Sequence, residues 1–264
     1  MSARSTSTAA GRQRLRSTLR ARAPALLALG GALVLAWFAV RPQLYVSWTP
    51  PDEGVLAQGA ERVMRGELPH RDFVALWSGG LDYLNAAAFR SLGTSLATMR
   101  TVLAAAWLLA LAAFFSAARH MLSPWMAGAL TLCAALWTLP LSPHPLPSWY
   151  NLFLALGGVA AVLHWMRSRH SAWLAAAGVA AGASCAVKVV GLYFVAAVLL
   201  FFVWQVQDDV RDAPGGRRSL ARPYAWTITA GLCAFLALVA ALVRRELSAN
   251  TTLHFLVPHV SLVG

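Results

Sequence analysis

The sequence predicts an all-α polytopic membrane protein with about seven transmembrane helices and a long first external loop. Hydrophobic residues make up 58% of the chain and charged residues only 12%, a balance far from that of soluble domains. The basic residues lie in short clusters between apolar runs, which is the pattern of membrane topology. The net charge of +12 therefore does not indicate nucleic-acid binding, because no basic face with interleaved aromatic residues accompanies it.

The amino-terminal segment is basic and leads directly into the first apolar run. Residues 1–22 contain six arginines and no acidic residue, and residues 23–40 are apolar. This pattern also occurs in signal and transit peptides. However, the end of the run, AWFAVRPQ, lacks small residues at cleavage spacing, and further apolar segments follow. We therefore predict a cytoplasmic basic tail, 1–22, and one transmembrane domain, 23–264, with an uncleaved first span.

The remaining spans follow from apolar runs near the length that crosses a bilayer, about 20 residues. Arginine and lysine are more numerous on the side of the amino terminus, which places that terminus in the cytoplasm. The fifth and sixth runs are alternatively a broken or re-entrant pair around Lys188. The chain stops inside a fresh apolar stretch, so we expect it to be the front part of a longer protein. The predicted spans after the first are 101–118, 122–139, 150–166, 171–187, 189–206 and 225–243.

The external loop, residues 41–100, is predicted to contain two short helices. Residues 52–66 place apolar side chains at helical spacing with charged ones elsewhere on the wheel, which is typical of a helix on the membrane surface. Residues 81–92 have a similar face and are followed by Gly93, a natural helix cap.

Half of the ten carboxylates lie between Thr49 and Phe73, which makes this stretch the first candidate for chemistry. Asp52 and Glu53 follow two prolines, so one interpretation is that they merely complement the amino terminus of a helix capped by Thr49. The other is that an acid fixed beside the membrane accepts a proton or binds a divalent cation. The sequence leaves both interpretations open.

Four further residues are candidates, each with a structural alternative. Arg71 and Asp72 form either a local ion pair in a turn or an anion contact in which Asp72 holds Arg71. Lys188 lies at the predicted external end of the fifth span, where a lysine either anchors the span at the interface or binds a phosphate. Tyr150 lies at a predicted interface, where aromatic residues are common anyway.

At this point the loop resembles a known family. The stretch from Trp48 to Phe73 reads W-x-P-P-D-E-G-x-x-A-x-G-A-x-R-x-x-x-G-x-x-P-x-R-D-F. It resembles the bacterial C-type glycosyltransferases, which are related to the dolichyl-phosphate-mannose protein mannosyltransferases and to the lipid A aminoarabinose transferase. Residues 89–93, 148–156 and 178–194 are similar to later family segments. The chain departs from the family at Trp77–Gly80, where many relatives carry a Lys-Pro-Pro or His-Pro-Pro triplet.

The resemblance implies transfer of a sugar, with inversion, from a polyprenyl-phosphate carrier to a glycan, lipid or protein acceptor outside the membrane. It implies that Asp52 is the base, that Glu53 positions Asp52 or the acceptor, and that Arg71 and Lys188 hold the lipid phosphate. Abundant alanine and arginine favour a bacterial source, so the expected location is the plasma (inner) membrane with the loop periplasmic. The rival hypotheses are a transporter, which predicts paired charges inside spans and an inverted repeat, and a noncatalytic or truncated membrane homologue.

Overall fold

The computed structural model describes residues 3–45 and 52–212, and within these ranges the protein is all-helical. The predicted span 225–243, Cys233 and the Thr49 cap fall outside them. Two 3-10 turns, Arg41–Leu44 and Leu139–Leu141, follow α1 and α5. The α-helices are α1 (Ala3–Val40), α2 (Asp52–Met64), α3 (Gly80–Leu92), α4 (Leu96–Ala118), α5 (Pro124–Leu136), α6 (Pro147–Ser168), α7 (Ser171–Val187) and α8 (Gly191–Asp212).

Four segments in the described part of the chain are long and apolar enough to cross a membrane: Arg22–Leu44, Leu96–Ala118, Pro124–Leu141 and Pro147–Ser168. The predicted spans 171–187 and 189–206 correspond to shorter apolar helices, Ser171–Val187 and Gly191–Phe202. The structure thus supports an all-α membrane protein, with four candidate spans in the part of the chain that it describes. The fifth and sixth segments are broken between Val187 and Gly191, as the alternative prediction around Lys188 allowed.

The first helix begins well before the predicted span. α1 runs without interruption from the arginine-rich segment into the apolar run, and the candidate span within it begins at Arg22. Arginine and alanine are both strong helix formers, so a basic sequence does not end a helix that an apolar run continues. The change at residue 22 is one of charge and not of backbone conformation.

The two predicted loop helices are present as α2 and α3. Gly79 precedes α3 with φ 82° and Gly93 ends it with φ 93°, a backbone region in which glycine lacks the steric cost of other residues. The apolar face of α2, with Leu56 and Ala60, is buried inside the protein. We expected this face to lie on the membrane surface, but α3 covers it, because α3 presents an apolar face of its own.

The main core lies at one end of the helical bundle, which we call the loop end. It joins the end of α1, the start of α4, the end of α5, the start of α6 and the end of α7 with both loop helices. Residues that represent these elements are Val40, Leu56, Leu81, Leu103, Trp107, Leu139, Phe153 and Val187. The membrane-length helices therefore alternate in direction. The segments 41–45, 52–95, 142–146 and 188–190 all lie at the loop end.

Candidate active site at the loop end

A buried ion pair joins α2 to α4. Arg100 donates from Nε to Glu53 Oε1 at 2.8 Å and from Nη2 to Glu53 Oε2 at 2.6 Å. Its Nη1 also donates to the Leu44 carbonyl oxygen at 3.3 Å, which ties α1 to the same point. The side chains of Arg100 and Glu53 are only 4% and 0% exposed. A two-point guanidinium–carboxylate contact fixes orientation as well as distance, so Glu53 is locked in place.

The second connection at the loop end reaches the same carboxylate. His144 places Nδ1 3.4 Å from Glu53 Oε1, and its neighbour Pro145 is fully buried. Three elements therefore meet around Glu53: α2, α4 and the segment 142–146. Arg100 donates to both carboxylate oxygens of Glu53. Glu53 is therefore better suited to fix the start of α2 than to accept a proton from a substrate.

Asp52 is the residue that this arrangement positions. It opens α2 immediately before Glu53 and is only partly buried. The ion pair between Glu53 and Arg100 fixes the first turn of α2. The backbone of Asp52 is therefore held relative to α1, α4 and the segment 142–146. Asp52 thus combines a fixed backbone with partial exposure of the residue.

Arg71 and Asp72 form the local pair that one interpretation of the sequence predicted. Arg71 Nη2 lies 2.7 Å from Asp72 Oδ2, and the Leu68 N–H donates to the same oxygen at 2.8 Å. The hydrogen bonds from Arg71 and Leu68 hold the pKa of the Asp72 carboxyl below its usual range. Both residues are exposed. Contacts within the turn therefore stabilise it at the surface, and solvent can reach the Arg71 guanidinium.

Lys188 lies at the break between α7 and α8, on the same end of the bundle. Its Nζ is 3.4 Å from the Ser148 hydroxyl at the start of α6. The start of α3 packs on the residues just before Lys188, so closely that a Cβ added to Gly80 would collide with the Ala186 carbonyl oxygen. The structure therefore brings Lys188 next to the start of α3, although 108 positions separate Lys188 from Gly80.

Tyr150 is a core residue in this structure. It is 4% exposed and belongs to the main core. Its hydroxyl has no hydrogen-bond partner among the described residues. Of its neighbours in α6, Trp149 stacks on Phe153 with ring centroids 5.9 Å apart. This placement indicates a packing role for Tyr150, whereas the sequence offered an interface aromatic as the structural alternative.

Sequence reasoning missed three residues of this region. Arg100 looked like an ordinary loop charge, since nothing local links it to Glu53. Asp82 and Asn85 are three positions apart on the apolar face of α3, and this spacing is the signal that could have shown them to be buried. Asp82 packs against Gly59, where an added Cβ would lie 2.5 Å from its Oδ1, and burial raises the pKa of Asp82 to about 7. Asn85 is fully buried, and neither polar atom of its amide has a partner in the described part of the chain.

No group of three or more histidine, cysteine, aspartate or glutamate residues with the geometry of a metal site occurs in residues 3–45 and 52–212. The sequence offered Asp52 and Glu53 together as a candidate cation site. In the structure Glu53 pairs with Arg100, whereas no guanidinium of the described residues pairs with Asp52.

No family model, curated protein or solved structure matches the chain. The resemblance to C-type glycosyltransferases therefore rests on the motifs of the first external loop and the segments named with it. The architecture and the site geometry stand independently of it.

Proposed function

We propose that this chain is an integral-membrane glycosyltransferase, which transfers a sugar from a polyprenyl-phosphate carrier to an acceptor hydroxyl at the loop end. One observation carries the proposal: the fold places a partly exposed acidic residue, Asp52, and the amine of Lys188 at the same end of the bundle. An attacking hydroxyl needs a proton acceptor, and a departing phosphate needs positive charge. The loop end offers one residue for each requirement.

In the proposed reaction, Asp52 takes the proton of the acceptor hydroxyl as its oxygen attacks the anomeric carbon. The bond from that carbon to the phosphate oxygen breaks on the opposite face, and its electron pair leaves with the lipid phosphate. The configuration at the anomeric carbon inverts. Lys188 stabilises the charge that develops on the phosphate, and the exposed guanidinium of Arg71 is a second cation for the same group.

The buried pair gives Glu53 a positioning role in this proposal. Arg100 holds both oxygens of Glu53, which favours proton transfer at Asp52 over a metal ion shared by two neighbouring acids. In this proposal Asp52 accepts the proton, and Glu53 holds the first turn of α2 in place.

The activity is tested with the protein in proteoliposomes and polyprenyl-phosphate hexose or pentose as donor, by following labelled sugar into acceptor. Removing a proton acceptor commonly costs about 100-fold or more, so Asp52→Asn should lower transfer by at least that factor. Glu61→Gln is the matched control, because Glu61 is an acid on the same helix that pairs with Arg65 at the surface. Wild-type transfer by both Asp52→Asn and Lys188→Ala would refute the site assignment.

The proposal also places the loop end on the periplasmic side of a bacterial plasma membrane. Val74 is 89% exposed in the first loop, and Arg169 is exposed in the turn between α6 and α7 at the opposite end. A cysteine at position 74, but not one at position 169, should react with a membrane-impermeant thiol reagent on intact spheroplasts. The reverse labelling pattern would show that the orientation is wrong.

A further inference from the structure

Residues 188–190 form a short break between α7 and α8, and backbone hydrogen bonds hold the two helix ends together across it. The Lys188 N–H donates to the Ser184 carbonyl oxygen at 3.0 Å, and the Gly191 N–H donates to the Lys188 carbonyl oxygen at 2.9 Å. Gly191 packs so tightly that an added Cβ would lie 2.5 Å from the Ser184 carbonyl carbon. The last turn of α7 and the first turn of α8 are therefore in direct contact, and Lys188 occupies the extended residue between them.

One side chain from α6 reaches both sides of this break. The Asn151 amide satisfies both of its groups in one orientation, in which its nitrogen donates to the Ser184 carbonyl oxygen at 3.0 Å and its oxygen accepts from the Gly191 N–H at 3.3 Å. One turn earlier on α6, the Ser148 hydroxyl lies 3.4 Å from Lys188 Nζ. The first two turns of α6 thus contact Lys188 twice, through the backbone of its break and through its ammonium group.

We propose that Asn151 is a positioning residue that clamps the α7–α8 break and thereby fixes the Lys188 ammonium group beside Ser148. The proposed phosphate contact of Lys188 rests on the proposed function, whereas the position that Asn151 gives to Lys188 does not. An amide supplies a donor and an acceptor on one planar group, which is what a carbonyl on one helix and an N–H on the next require. An apolar side chain of the same shape supplies neither group.

The clamp matters because the Lys188 side chain is flexible. A lysine has several rotatable bonds, so its ammonium group is useful for a leaving phosphate only when the backbone beneath it is fixed. Without the clamp, the Ser184 carbonyl and the Gly191 N–H lose one hydrogen bond each and the break can open. Misplacement of a catalytic group by about 1 Å can cost two orders of magnitude in rate.

The chain offers an unusual probe of this position, because Lys188 is its sole lysine. Amine acylation of the detergent-solubilised full chain, quantified by mass spectrometry of the peptide that contains Lys188, reports how the ammonium group is held. The measurement is repeated across pH to give the reactivity profile of the amine. It needs no donor, no acceptor and no transfer activity.

Asn151→Leu keeps the side-chain shape and removes both hydrogen bonds, and we expect it to raise the acylation rate of Lys188 by about fivefold or more. Asn151→Gln retains the amide and should stay within about twofold of wild type. Ser168→Ala is the matched control, because Ser168 lies at the other end of α6 and its hydroxyl donates to the His164 carbonyl oxygen of its own helix. This control should react as wild type does.

Equal rates for Asn151→Leu and wild type would overturn the proposal, and so would equal changes in the leucine and glutamine variants, since the amide would then have no specific role. If Asn151→Leu does not fold, Gly191→Ala tests the same clamp, because its methyl group forces Ser184 and Gly191 apart. It should raise the acylation rate similarly, and a wild-type rate would again overturn the proposal. Faster acylation together with unchanged transfer by Lys188→Ala would uphold the clamp and refute the phosphate role.

Discussion

Two ion pairs at the loop end use the same chemical groups and differ in almost everything else. Arg71–Asp72 joins adjacent residues in a surface turn, with side chains 40% and 33% exposed. Glu53–Arg100 joins residues 47 positions apart, and its side chains are hardly exposed at all. The first pair shapes one turn, whereas the second connects α1, α2 and α4.

The difference shows what burial does to a charge. Water screens an exposed pair and solvates either partner when the other is removed, so such pairs contribute about 0–1 kcal/mol. A buried pair gains little net stability over an apolar core, but the loss of one partner leaves a charge without compensation. The buried pair should therefore be fragile to single substitutions and tolerant of a double one.

The largest expected effect is the loss of one partner of the buried pair. Arg100→Leu leaves the Glu53 carboxylate buried without a cation and should lower the free energy of unfolding by about 3–5 kcal/mol. Reversible denaturation in mixed micelles measures it. The double variant Glu53→Leu with Arg100→Leu removes both charges, so its loss should be clearly smaller than the sum of the two single losses. Additive losses would show that the two side chains do not act as a pair.

Asp82 extends the comparison, because it is a buried carboxyl group with which no cationic side chain pairs among the described residues. Burial raises the pKa of Asp82 to about 7 in the folded protein, from 3.8. Between these values the folded state retains a proton that the unfolded state releases, so stability falls as pH rises from about 4 to 7. The expected loss over this window is about 4 kcal/mol as an upper estimate, and above pH 7 this contribution changes no further.

The control for this pH dependence is Asp82→Asn, which keeps the shape and removes the titrating group. The stability of the variant relative to wild type should increase steadily from about pH 4 to pH 7 and be constant outside that window. Denaturation curves collected at one-unit pH intervals give the comparison. If the two proteins show parallel pH profiles, the Asp82 carboxyl does not keep its proton in the folded state.

The contrast between the pairs also explains how far sequence reasoning reached. Apolar runs and glycine caps are local signals. They predicted α2, α3 and the end of α3 at Gly93, and they allowed a break at Lys188 as an alternative to two separate spans. The Arg71–Asp72 pair is equally local, since its partners are neighbours. No pattern within one segment connects Glu53 to Arg100 or brings Gly80 onto Ala186, because these contacts exist only once the helices pack. The sequence therefore singled out Asp52 and Lys188 as candidates, but it could not indicate the residues that contact them across the fold.

A third prediction concerns the contact that buries Asp82. An added Cβ at Gly59 would lie 2.5 Å from Asp82 Oδ1 and 2.9 Å from its Cγ, so Gly59→Ala must push α3 away or rotate the carboxyl group. Overpacking of this kind typically costs about 1–3 kcal/mol. Gly54→Ala on the same helix is the matched control, because nothing lies within 4 Å of its added Cβ. Equal stability of the two variants in thermal unfolding would contradict the close α2–α3 contact.

The smallest expected effect is at the exposed pair. Arg71→Ala should change the free energy of unfolding by less than about 1 kcal/mol, because water takes over the solvation of Asp72. The Leu68 N–H still donates to Asp72, so the turn retains part of its support. Raising the ionic strength from 0.05 to about 0.5 M should reduce this small difference further, since salt screens surface charges. The same salt series should leave the penalty of Arg100→Leu nearly unchanged, because ions do not reach a buried carboxylate. If the stability loss of Arg100→Leu depended strongly on salt, the Glu53–Arg100 pair would be exposed to solvent, and it would not differ from the Arg71–Asp72 pair in burial.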